Sequence, residues 1–181
     1  IADLARDIIG NPRPNPAGTA PDMGAYENAL STPEKLLSVP ADYATIQQAI
    51  DAAVDGNVVL VQPGTYLENI DFKGKKITVA SLLHTEGQAS YLRDTIIDGG
   101  KKGSVVSFKN RENRNSKLIG FTITNGISQE GGGIYCGYQC SPTLENLIVT
   151  GNEAQSLGGG IYLESTANAL IRSVVIAQNS A

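Results

Sequence analysis

The chain writes nearly the same message twice, at a fixed step. Gly131-Gly132-Gly133-Ile134-Tyr135 returns as Gly158-Gly159-Gly160-Ile161-Tyr162, 27 residues later. Leu147-Ile148-Val149-Thr150-Gly151-Asn152 returns as Val174-Val175-Ile176-Ala177-Gln178-Asn179 at the same step of 27, and Phe121-Thr122-Ile123-Thr124 matches residues 147–150 at an offset of 26. A period in the twenties marks a solenoid. Each repeat holds apolar, β-branched runs of four to six residues split by Gly, Asn and Ser, which are strand signals punctuated by turn signals. No run has the i, i+3, i+4 spacing of a helical repeat. The Leu ladder of leucine-rich repeats is absent.

What remains is an all-β fold, a parallel β-helix with about three short strands per coil and equivalent strands roughly 4.8 Å apart. Residues one period apart then stack. Ile134 is expected on Ile161, Tyr135 on Tyr162, and Asn152 on Asn179 with side-chain amides bonded along the stack. The Gly triplets suit turns of positive φ and close backbone approach. Further strands are predicted at 58–61, 69–72, 76–80, 95–98, 105–108 and 117–124, for about four coils. Residues 81–94 and 110–116 are predicted to leave the stack as loops.

Upstream, "YATIQQAIDAAVDG" predicts a short amphipathic helix. Thr45 and Gln48 form a capping box, Ile46, Ala49, Ile50 and Ala53 make one apolar face, and Gly56 is a C-terminal stop. Laid across the first coil, such a helix covers both the open core and the unpaired edge. Burying Ile46 and Ile50 there contributes roughly 2 kcal/mol each.

The combination of "TIQQAIDAA", "VQPGTYLENI", "IIDGG", "GFTITNG" and two "GGGIY" runs, over residues 39–181, resembles right-handed parallel β-helix proteins of the pectin-lyase-like superfamily. That superfamily includes polysaccharide lyases, pectin methylesterases, glycosidases, adhesins and surface proteins, so the resemblance implies fold more than activity. It also implies a secreted or cell-surface bacterial setting. A second resemblance lies at the front. "DIIGNPRPNPAGTAPDMGAYE", residues 7–27, looks like the closing tail of such a module. The expected organisation is a tail at 1–28, a linker at 29–38, a helix cap at 39–57 and coils at 58–181 open at the C-terminal end, as in a fragment of a longer tandem protein.

Composition narrows the function. Net charge is −4 and the basic clusters are only Lys73-Lys75-Lys76 and Lys101-Lys102, which read as solvated turns and give no electrostatic case for nucleic acid. No apolar run is long enough to span a membrane. Cys136 and Cys140, four apart in "CGYQC", are either a local disulfide or two stacked or half-buried thiols. The single His84 reads as an exposed loop residue, and one His leaves no zinc set.

Candidate sites are few. Asp94 and Asp98 are the best carboxylate pair and the one place for calcium; otherwise no cofactor is implied. At i, i+4 on a strand they stand about 13 Å apart, so turn chemistry competes with a metal site. Gly137-Tyr138-Gln139 is similar to the start of the esterase "GYQDTL" motif, but Cys140-Ser141 replace its Asp-Thr, removing the catalytic carboxylate. Glu145 lies one period from Arg172 and reads as a surface ion pair between coils. Tyr135 and Tyr162, if outward, form an aromatic stripe for sugar stacking; the alternative is that they shield the Gly-rich turns. The expected function is a non-catalytic structural module: spacer, adhesin stalk or filament unit. It would self-associate or meet neighbouring β-helix modules, the tail of one unit completing the open end of another, with polysaccharide as a further partner. The rival is the N-terminal part of a polysaccharide lyase or carbohydrate esterase whose site lies in later coils.

Overall fold

The computed structural model describes residues 35–181, so the expected tail at 1–28 and the linker up to 34 lie outside the described residues. The fold is mostly β with a curled, all-parallel sheet. The described residues begin with β1 (Leu36–Val39) and α1 (Ile46–Ala52), and the first full pass contains β2 (Val58–Val61), β3 (Gly64–Leu67) and β4 (Ile70–Asp71). The second runs through β5 (Thr78–Ser81), α2 (Leu83–Glu86), α3 (Tyr91–Asp94), β6 (Thr95–Asp98) and β7 (Val106–Phe108). A third holds β8 (Lys117–Ile119), β9 (Thr122–Thr124), β10 (Ile127–Glu130) and β11 (Ile134–Cys136). Then come β12 (Thr143–Thr150), β13 (Glu153–Leu157), β14 (Ile161–Leu163) and β15 (Leu170–Ala177).

Each pass adds a parallel strand to the same ladders. One ladder runs β1, β2, β5, β8, β12, β15; a second runs β3, β6, β9, β12, β15; a third runs β4, β7, β11, β14. Strand β12 is long enough to belong to two ladders, pairing β8 through residues 143–145 and β9 through 148–149. The bend between them falls on Asn146 (φ 51), and its counterparts are Gly120 (φ 86) and Ser173 (φ 51). The stretch 117–124, expected as one strand, is therefore two, separated by the left-handed Gly120. A Cβ there would run into Ser81 Oγ and lie 3.2 Å from Leu83 Cβ, so glycine is required for close approach as well as for φ.

Parallel register places aliphatic side chains in continuous inward rows, although the step along the chain varies from 20 to 39 residues before settling at 26 and 27. Leu37, Val59, Val79, Leu118 and Leu144 are in register, all at most 1% exposed, and the row ends at Ile171, 41% exposed. Ile97, Ile123 and Val149 form a second row, fully buried, ending at Ile176. Phe72 stacks on Phe108, ring centroids 4.4 Å apart, in the third. Residues 36–38 of the linker expected at 29–38 belong to β1. Its alternating pattern buries Leu37 and Val39, which puts a strand where composition suggested a tether.

The helix forms over Ile46–Ala52, with Thr45 as N-cap accepting from the Gln48 amide at 3.1 Å and Ile46, Ala49 and Ile50 buried. The rest of its capping comes from the strands it covers. Glu68 accepts from the amides of Ile46 (2.9 Å) and Gln47 (3.0 Å), placing a carboxylate on the positive end of the helix. The Gln47 side chain exchanges two hydrogen bonds with the Asp71 backbone, occupying the free edge of β4. Gly56, expected as the stop, lies beyond the extended C-cap Ala53. Lys75 instead donates to the carbonyls of Ile50, Asp51 and Ala53 at 2.7, 2.7 and 2.8 Å, which corrects its reading as a solvated turn residue. Lys73 and Lys76 do sit at the surface, paired with Asp51 and Asp55. Lys75→Met keeps the apolar stem and removes the ammonium; it is expected to lower unfolding free energy by about 2 kcal/mol, measured in urea. A change no larger than that of Lys73→Met would contradict the cap.

Candidate functional site

The glycine triplets divide their labour. Only the first of each has a left-handed backbone: Gly131 at φ 63 and Gly158 at φ 68. The others are needed because passes touch backbone to backbone. A Cβ on Gly133 would lie 2.5 Å from Gly160 O, and one on Gly132 would overlap Glu153 O. This contact sets β11 and β14 in register, Ile134 on Ile161 and Tyr135 on Tyr162.

Ile134 points into the core, so by strand alternation Tyr135 points outward. The two tyrosine rings stack with centroids 5.7 Å apart at 25°. Tyr135 donates its hydroxyl to Glu164 Oε2 at 2.9 Å. Burial, then that hydrogen bond and the Glu164 charge, push its phenol up to about 12. Tyr162 is raised too, first by burial and then by the charges of Glu130 and Glu164. Among the described residues no further ring stacks on Tyr162. The stripe is thus two neutral aromatic faces bordered by two carboxylates.

The remaining expected sites resolve into structure. Asp98 spends both oxygens on turns: Oδ1 accepts from Gly100 N and Oδ2 from Asn125 Nδ2, each at 2.8 Å. Asp94 is the exposed last residue of α3, and the described residues hold no group of three or more His, Cys, Asp or Glu able to hold a metal. Asp98 pairs in register with Thr124, and the stacked asparagines lie in a different column. Asn152 accepts from Gly126 N (2.9 Å) and donates to Ile123 O, Thr150 O and Asn179 Oδ1 (3.0, 3.1 and 3.0 Å).

Cys136 and Cys140 are both free and buried, which corrects the disulfide alternative. Cys136 points into the core in register with Phe108, while Cys140 Sγ donates to Glu112 Oε2 at 3.2 Å. Burial holds Cys136 well above the ordinary thiol range. Burial together with the Glu112 hydrogen bond pushes Cys140 up to about 11. Neither thiol is therefore poised as a nucleophile.

Glu112 sits in the stretch 110–116, expected as a polar loop leaving the stack, yet it is 1% exposed. Its oxygens accept from Gly74 N and Asn110 N at 2.7 and 2.8 Å. No sequence pattern signalled this, because its partner Gly74 is 38 residues away. Glu145 and Arg172 are in register as expected, but among the described residues they form no ion pair. Both instead line a groove with Lys117 and His84.

No helix of the described residues is long and apolar enough to cross a membrane. No family model, no curated protein and no solved structure matches this chain.

Proposed function

We propose that this chain is a right-handed parallel β-helix segment of the pectin-lyase-like type, about four coils long, working as a non-catalytic structural module of a secreted or cell-surface protein. The observation that carries the reading is the register itself. Equivalent residues pair strand on strand, so inward rows, asparagine rungs and outward tyrosines all line up along one axis. Such a body is stiff because each pass is bonded to both neighbours, which suits a spacer, stalk or filament unit. Neighbouring modules or further copies would add at strand edges by parallel pairing.

Carbohydrate is the ligand that fits the tyrosine stripe, since flat neutral rings stack on sugar faces and the bordering carboxylates accept hydroxyl hydrogens. Incubation with a panel of soluble polysaccharides is expected to yield binding without new reducing ends or unsaturated products. Tyr162→Ala weakens that binding roughly fivefold. Depolymerisation or ester release by the purified chain would overturn the non-catalytic reading. Equal binding by the variant would remove the stripe from it.

A further inference from the structure

The corner between the first two ladders needs very little chain. Gly120, Asn146 and Ser173 each turn it with one left-handed residue. Between β5 and β6 the same corner takes residues 82–94. Those residues are tied down: Leu83 N donates to Ser81 Oγ at 3.3 Å, Tyr91 Oη to Glu86 Oε2 at 2.5 Å, and Thr122 Oγ1 to Leu92 O at 2.9 Å. They form a fixed wall that the turn itself does not require.

Between this wall and the outer face of β8, β12 and β15 lies a groove of about 490 Å³, within the size range of small-molecule sites. Its floor carries one charge per strand: Lys117 on β8, Glu145 on β12 and Arg172 on β15. The wall contributes His84, the only histidine of the chain, and Leu83; Ile119 adds an apolar patch to the floor. Glu145 and Arg172 stand on adjacent strands, about 4.8 Å apart along the backbone, yet among the described residues no ion pair joins them or uses Lys117. The order across the strands is positive, negative, positive; all three residues line the groove, with Lys117 two residues along β8 from the position that pairs with Glu145.

We propose that this groove binds a small hydroxylated organic oxyanion, a polyol phosphate or a hydroxy acid. Arg172 and Lys117 take the oxyanion through charge-assisted hydrogen bonds. Glu145 between them repels a bare anion but accepts a hydroxyl hydrogen, so it selects for a ligand that carries both groups. The carbon skeleton lies on Leu83 and Ile119. The site is on a different ladder from the tyrosine stripe and does not depend on the reading of that stripe.

The test titrates the full chain with glycerol phosphate, glycerate, glycerol and sulfate, by calorimetry and by amide shifts at 117, 145 and 172. At least one of the two hydroxylated anions saturates, and which one does identifies phosphate or carboxylate as the preferred head. Glycerol and sulfate do not. Arg172→Gln weakens the binding about tenfold or more, while Glu145→Gln lets sulfate bind. These side chains lie at the surface, and unchanged circular dichroism verifies that the variants fold. The proposal is overturned if neither hydroxylated anion saturates, if Arg172→Gln binds like the natural chain, or if sulfate binds the natural chain as tightly as they do.

Discussion

Gly132→Ala is expected to leave the chain largely unfolded, with a loss of more than about 4 kcal/mol. The added methyl would occupy the space of Glu153 O and lie 2.7 Å from Gly159 O, both backbone atoms of the next pass. Backbone carbonyls held in ladder hydrogen bonds cannot move aside as a flexible side chain can. Relief would require separating the passes, breaking the contact that registers β11 on β14. Gly56→Ala is the matched control. That residue also has positive φ, at 89, but nothing lies within 4 Å of its missing Cβ. Its cost is the left-handed backbone alone, about 1–2 kcal/mol. Urea unfolding of the two variants separates the effects; a Gly132→Ala loss as small as that of Gly56→Ala would mean that the passes are not in backbone contact.

Glu112→Ala is the second large effect, about 3–5 kcal/mol. Three donors converge on this carboxylate: the amides of Gly74 and Asn110 and the Cys140 thiol. They come from separate turns, so the carboxylate ties three passages of chain together. Truncation removes the acceptor of two part-buried amide hydrogens and of the buried Cys140 thiol, and the desolvation cost of each is then less well compensated. Glu112→Gln separates shape from acceptor count. One carboxamide oxygen replaces two carboxylate oxygens, so at least one donor faces an NH2 group; the expected loss is about 1–3 kcal/mol. Thermal unfolding of both variants checks the order. A Gln variant worse than Ala would show that shape, rather than unpaired donors, governs the site.

Legibility followed the side chains. Where a residue repeats, the period exposed it: Ile134 and Ile161, Tyr135 and Tyr162, and Asn152 and Asn179 all stand where a step of 27 puts them. Helix α1 announced itself because Ile46, Ala49 and Ile50 share a face. Strand β13 did not, since only one of its five residues is buried and a strand without an inward face has no alternation to read. Strand β3 begins at a glycine after a proline and was masked by its own turn signals. Lys75 and Glu112 were misread for another reason. Their roles are set by backbone groups far along the chain, and those groups carry no identity that a sequence can display. The groove is similar: Lys117, Glu145 and Arg172 are spaced by about a period, but only folding sets His84 above them.

The asparagine rungs reach both ways. Asn152 takes a hydrogen from the amide of Gly126 behind it and gives hydrogens to Ile123 O behind and Asn179 Oδ1 ahead, so its side chain couples the layers on either side. A cut between these layers would strand a donor on one side and an acceptor on the other, whereas the removal or duplication of a whole period leaves every coupling matched. This end of the body can therefore lengthen or shorten only in whole increments, like a stack of plugs and sockets. Its size becomes something that changes by counting.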